Sequence, residues 1–214
     1  MKKTVIYDLL VLMLILGLLV FLKVPYLNLL LVFIVVLTYS KNQKGIGIEL
    51  GFSKPKNLIK IAGLSLFLAM GIVLISYFIL LPLIQIITEL QLDLGMFKPL
   101  KNNPKFLYIT LISGWIVGGL FEETIFRGFI ISKFINHLPH KTGAIFGIIF
   151  SSVIFGYLHT YQGPTGQILN GIVGLIFGIV FVVNGRNLWL NILTHGFVNT
   201  ISMLVLYSDL VSLN

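Results

Sequence analysis

Apolar runs of 17 or more residues follow one another along most of this chain, and lipid admits such runs only as helices or closed barrels that satisfy their own backbone hydrogen bonds. They centre on Val5–Leu22, Val24–Ser40, Leu58–Ile84, Phe106–Phe134, Thr142–His159, Gln167–Val183 and Leu188–Tyr207. A bilayer crossing takes roughly 20 such residues. Seven spanning helices are therefore expected, in an all-α, polytopic membrane helix bundle. Only 10% of the 214 residues are charged, against about 25% in an ordinary soluble domain. That deficit excludes a water-soluble globule. The lack of cysteine excludes disulfides, thiolate nucleophiles and cysteine-ligated metals.

The net charge of +8 does not imply nucleic acid, because the Lys and Arg residues sit mostly in short loops between apolar runs. They read as topology signals and membrane-surface contacts. Met1-Lys2-Lys3 before the first run, with no small-residue cleavage pattern after Leu22, predicts a retained signal-anchor helix. Lys23, Val24 and Pro25 predict a tight turn. With the N-terminus in the cytoplasm, Lys2, Lys3, Lys41, Lys44, Lys54, Lys56, Lys60, Arg127, Lys133, Lys141 and Arg186 fall inside, and Lys23, Lys98, Lys101 and Lys105 outside. Eleven against four favours that orientation in a multi-pass cell-membrane protein.

The two halves differ in kind. Residues 1–105 are expected to hold spanning helices, the first two mostly Leu, Val and Ile, and basic loops, whereas 106–214 are expected to form a compact four-helix core. Gly114/Gly118, Gly143/Gly147 and Gly174/Gly178 put small residues on one face of successive helices, where backbones approach closely.

Ionisable groups inside hydrocarbon cost about 2.5–3.5 kcal/mol each on insertion scales, so each calls for a partner or a purpose. Apart from Asp8, the acidic and imidazole groups within the runs are Glu122, Glu123, His159 and His195. Glu123 and Arg127 are four apart, with the acid N-terminal to the base, and so are expected to pair. Glu122 is rotated about 100° from Glu123 and is freer to face the bundle as a proton acceptor. One structural ion network of all three is the competing reading. Phe155 and His159 share a face by the same spacing. Asn191, His195 and Asn199 form a polar stripe whose N–H donors suit either a developing oxyanion or interhelical hydrogen bonds. His137 and His140 are expected to be solvated in a basic loop, residues 161–166 to form a turn, and Asn170 carries no interpretable spacing. Asp8 stays unassigned between pairing and snorkelling.

The ordered set E-E-x-x-x-R, F-x-x-x-H and H-x-x-x-N on separate late helices resembles the CPBP family, the CAAX prenyl endopeptidases and bacteriocin-processing enzymes also called Abi proteins. The resemblance covers residues 106–207. It implies an intramembrane glutamate-dependent peptidase, with Glu122 and His159 activating water, His195 and Asn199 stabilising the oxyanion, and Glu123, Arg127 and Phe155 in support. No cofactor or metal is implied. The partners implied are the bilayer and a peptide or protein substrate, lipid-modified or not, with no nucleic acid. Three other readings stay open: a zinc-dependent protease, a non-catalytic immunity or peptide-binding protein of the same fold, and a small ion-coupled transporter. Straight helices would spread the motif residues by more than about 10 Å in depth. The run Phe106–Phe134 is therefore expected to tilt, to break near Gly118-Gly119, or to begin later.

Overall fold

The computed structural model describes residues 3–24, 26–43, 45–55 and 57–208. Lys2, Pro25, Lys44 and Lys56, which entered the turn and charge expectations, lie outside the described residues. The helices are α1 (Lys3–Phe21), α2 (Leu27–Lys41), the short α3 (Ile46–Leu50), α4 (Leu58–Thr88), α5 (Pro104–His137), α6 (His140–Tyr157), α7 (Gly163–Val183) and α8 (Leu188–Tyr207). No strand occurs among the described residues. The protein is an all-α membrane helix bundle. Among the described residues, four helices are long and apolar enough to cross a bilayer: α4, α5, α8, and the segment Thr160–Val183 that contains α7. The apolar stretch Val5–Phe21 and α2 are shorter, and α6 has 18 residues with His140 and Lys141 in its first turn.

Helix starts are set by asparagine. Asn57, Asn103 and Asn187 precede α4, α5 and α8, and each side-chain oxygen accepts a backbone N–H of the first turn, from Lys60, Phe106 and Trp189 at 2.9–3.0 Å. In α5 and α7 a proline stands in the first turn, where its missing N–H costs nothing. The turn expected over 161–166 is consequently shorter: Thr160–Gln162 make one tight turn, and α7 begins at Gly163. Pro82 lies inside α4, and the widened turn Ser76–Leu80 immediately before it accommodates the lost hydrogen bond and the ring.

Glycines let the later helices close on one another. A Cβ on Gly143 would lie 2.6 Å from the Phe134 carbonyl oxygen, one on Gly147 3.1 Å from Ile131 Cα, and one on Gly174 3.3 Å from Ser152 Cα. The core around α5 contains Ile125, Phe126, Phe129, Ile130 and Ile131, packed with Phe155, Phe181 and Leu188 and with Ile15, Val32, Val36 and Leu50 of the first three helices.

A buried ionic cluster ties those first helices to the end of α5. Lys133 bonds Glu49 and lies 2.9 Å from Asp8, while Asp8 also accepts from Tyr39 at 2.8 Å and meets His137 Nε2 at 2.7 Å. Asp8, Glu49 and Lys133 are all buried. This settles Asp8 as a paired group and revises where His137, Lys133 and Arg127 sit. His137 is exposed, as expected, but it stands in the last turn of α5 rather than in a loop and meets Asp8, because the early turns of α1 lie beside that end of α5. Lys133 and Arg127 are internal, so neither acts as a loop charge.

Candidate active site

Residues Gly114–Ile131 of α5 are π-helical, with i→i+5 hydrogen bonding and a wider turn than an α-helix. Gly118-Gly119 lie inside this stretch, so the helix is widened there rather than broken, and it begins before Phe106 rather than later. Fewer degrees of rotation separate successive side chains in a wide turn. Glu122 and Glu123 can thus both approach one neighbour, His195 of α8.

Glu123 is fully buried and accepts from three directions. Arg127 Nη1 donates to Oε1 at 3.0 Å, Asn191 Nδ2 donates to Oε2 at 3.2 Å, and His195 Nδ1 is 2.7 Å from Oε1. The expected Glu123–Arg127 pair is present. Arg127 also donates from Nη2 to the Gly174 carbonyl at 3.3 Å, and its guanidinium lies 4.7 Å from the Phe155 ring centroid and 5.2 Å from that of Phe177. Those contacts give a buried cation both hydrogen-bond and ring partners.

A carboxylate only accepts, so His195 Nδ1 carries the proton of that contact and Nε2 is the nitrogen left for the site. Nε2 stands 3.8 Å from Glu122 Oε2. Glu122 is not hydrogen-bonded to Arg127 in the way Glu123 is, and 15% of its side chain is exposed. His159 follows the same logic: Nδ1 donates to the Phe155 carbonyl at 2.7 Å, which leaves the Nε2 lone pair free of the backbone. The Phe155 ring lies 4.7 Å from the His159 ring and 6.2 Å from that of His195, so it packs between the two imidazoles.

Asn199 Nδ2 donates to the Gly114 carbonyl at 2.9 Å. One of its two amide N–H groups is therefore used in joining α8 to α5, and one remains. Gly118 is the floor on which Asn199 and His195 converge. A Cβ there would sit 3.2 Å from His195 Nε2 and would overlap Asn199 Nδ2.

Glu122, Phe155, His159, His195 and Asn199 all line one cavity of about 180 Å³. Glu123 and Arg127 stand behind its wall. Asn191, one turn before His195 on the polar stripe, turns to Glu123 and to the Phe177 carbonyl at 2.9 Å rather than into the cavity. Asn170 and Gln162 are lining residues that spacing did not single out; Asn170 Nδ2 donates to Gln162 Oε1 at 2.7 Å across the junction of turn and helix. Among the described residues no three His, Asp or Glu side chains are grouped so as to hold a metal ion.

Residues 104–201 match the family model described as Type II CAAX prenyl endopeptidase Rce1-like. An uncharacterized protein of Mycoplasma capricolum subsp. capricolum is 31% identical over 137 residues, which cover 58% of this chain and 39% of that protein. The chain thus spans about two fifths of that relative's length. No solved structure matches. Every residue of the cavity's Glu, His and Asn set lies within the matched segment, so the part of this membrane bundle that is similar to the Rce1-like type II CAAX prenyl endopeptidases is the part that builds the cavity.

Proposed function

We propose that the chain is an intramembrane endopeptidase in which Glu122 takes a proton from the water that attacks a peptide carbonyl. One observation carries the reading: Glu122, His159, His195 and Asn199, from three parts of the fold, line a single cavity inside an apolar bundle. Glu122 is the base because Arg127 is engaged on Glu123, leaving the Glu122 carboxylate to the cavity. His159 Nε2 accepts the second hydrogen of the water and so orients its lone pair. As the oxygen–carbon bond forms, charge develops on the carbonyl oxygen. The remaining Asn199 N–H donates to it, as does His195 Nε2 when that ring carries both protons; one such donor is worth about 10²–10³ in rate. The peptide C–N bond then breaks, and the proton held by Glu122 passes to the departing nitrogen.

Glu123 and Arg127 fix His195, and Phe155 separates the two imidazoles while covering Arg127. Residues 1–105 serve as scaffold and 106–214 as catalytic core, in a protein with its N-terminus in the cytoplasm. The substrate is a peptide or protein segment that reaches the cavity. The test is cleavage of a diverse peptide library, prenylated and not, by detergent-purified protein, read by mass spectrometry. Glu122→Gln should keep the fold and abolish cleavage, and wild-type activity should survive exhaustive chelation. An active Glu122→Gln protein overturns the assignment, and loss on chelation that zinc restores transfers Glu122, His159 and His195 to a metal.

A further inference from the structure

The connections of the bundle fall into two groups at opposite ends. One end gathers residues 22–24 and 26, the loop 89–103 and the turn Thr160–Gln162. There Asp93 N donates to the Gln162 carbonyl at 3.1 Å, and the hydroxyls of Thr88 and Thr165 are 2.9 Å apart. The other end gathers residues 42, 43, 45–55 and 57, the α5–α6 turn and residues 184–187. Leu188 N donates to the Gly51 carbonyl and Asn187 Nδ2 to the Ser53 carbonyl, both at 2.9 Å, and Arg186 reaches Asn136 at 3.4 Å. Gly51 is required at this second end: its φ is +85°, and a Cβ would collide with the Arg186 carbonyl.

The cavity belongs to the first end. Its lining includes Tyr26, Met96, Phe97, Tyr161 and Gln162 from those connections and none of the described residues in 42–57 or 184–187. The helical residues that line it agree. Thr110 and Ser113 come early in α5, which starts at the first end, and Asn199 and Met203 come late in α8, which finishes there. Tyr26, Met96 and Tyr161 are exposed, as rim residues are.

Charge separates the same two ends. Once the internal Arg127 and Lys133 are set aside, the second end carries Lys41, Lys44, Lys54, Lys56, Lys60, Lys141 and Arg186 in its sequence, and the first end Lys23, Lys98, Lys101 and Lys105. Seven against four in short connections places the second end in the cytoplasm. Building on the peptidase reading above, we infer that the catalytic cavity opens away from the cytoplasm, and that its substrate is an apolar peptide segment, exported or membrane-anchored, presented at the extracytoplasmic face. The aromatic and methionine rim suits an apolar chain, and the paired amides of Gln162 and Asn170 offer hydrogen bonds to its backbone. A peptide tail confined to the cytosol does not reach this mouth.

The chain has no cysteine, so single cysteines report position without background. Met96→Cys and Lys98→Cys mark the mouth, and Lys54→Cys and Lys141→Cys the opposite end. In intact bacterial cells expressing the full chain, a membrane-impermeant maleimide should label the first pair, and should label the second only after permeabilisation. The reverse pattern overturns the inference. Vesicles of both orientations then receive a membrane-impermeant peptide library. Cleavage by right-side-out vesicles alone, lost in Glu122→Gln, supports both the sidedness and the substrate class. Cleavage by inside-out vesicles alone overturns the inference while leaving the peptidase reading standing. Labelling as expected with no Glu122-dependent cleavage from either side overturns the peptidase reading and the substrate with it, but not the direction in which the cavity opens.

Discussion

Gly118→Ala adds one methyl group at the point where two proposed oxyanion donors meet. Its Cβ would lie 3.2 Å from His195 Nε2 and overlap Asn199 Nδ2, so the asparagine has to move. Moving it strains or breaks the 2.9 Å bond to the Gly114 carbonyl, a loss of about 0.5–1.5 kcal/mol. Overpacking at a tight site adds about 1–3 kcal/mol. The bundle should survive this with a lowered unfolding temperature. Activity should suffer far more, because displacing a reacting group by about 1 Å costs on the order of 10²-fold. The assay is peptide cleavage by detergent-purified protein, with kcat and KM separated and thermal unfolding measured alongside. Gly71→Ala is the control: no atom lies within 4 Å of its added Cβ, and removing a mid-helix glycine is neutral or stabilising by up to about 1 kcal/mol. A Gly118→Ala enzyme with wild-type kcat would refute the convergence of Asn199 and His195 on the reacting carbonyl.

Glu123→Gln keeps the shape of the side chain but leaves Arg127 buried without its carboxylate, and breaking a buried pair in this way costs about 3–5 kcal/mol. A large drop in unfolding temperature is expected for Glu123→Gln and a small one for Glu122→Gln; equal drops would mean that both acids are structural. Lys133→Met should likewise destabilise by about 3–5 kcal/mol, since it removes the buried cation shared by Asp8 and Glu49 and leaves Asp8 only Tyr39 and His137. Limited proteolysis of the 42–57 connection should then accelerate, and an unchanged rate would show that the cluster does not hold α1 and α3 to α5.

Local pairs were legible in the sequence because helical spacing alone brings their members together. Glu123 and Arg127 are four apart and pair as that spacing requires. Glu122 could be distinguished from Glu123 by rotation, yet the rotation assumed an α-helix, and the wide turns of Gly114–Ile131 bring both acids to His195. Long-range partners left no trace in spacing. Asp8 and His137 are 129 residues apart, so His137 looked like a solvated loop histidine. Asn191 belonged visibly to a polar stripe, but its choice of Glu123 over the cavity depends on where α5 lies. Gly118 was legible as a close-packing residue, and only the fold reveals that what it accommodates is the pair of donor side chains. Gln162 and Asn170 sit on either side of a helix start, where no single periodicity links them.

The Asp8 cluster also bears on how the chain is made. Synthesis runs from the N-terminus, so α1 with Asp8 leaves the ribosome before α5 has been translated. Tyr39 arrives first and Glu49 soon after, but the cation that balances both acids comes with Lys133. Until then α1, α2 and α3 carry two carboxylates and no internal counter-charge for them. The amino-terminal helices accordingly finish assembling only when the last turns of α5 have been inserted, and a chain stopped after α4 is the form a membrane quality-control protease would meet with those acids unpaired.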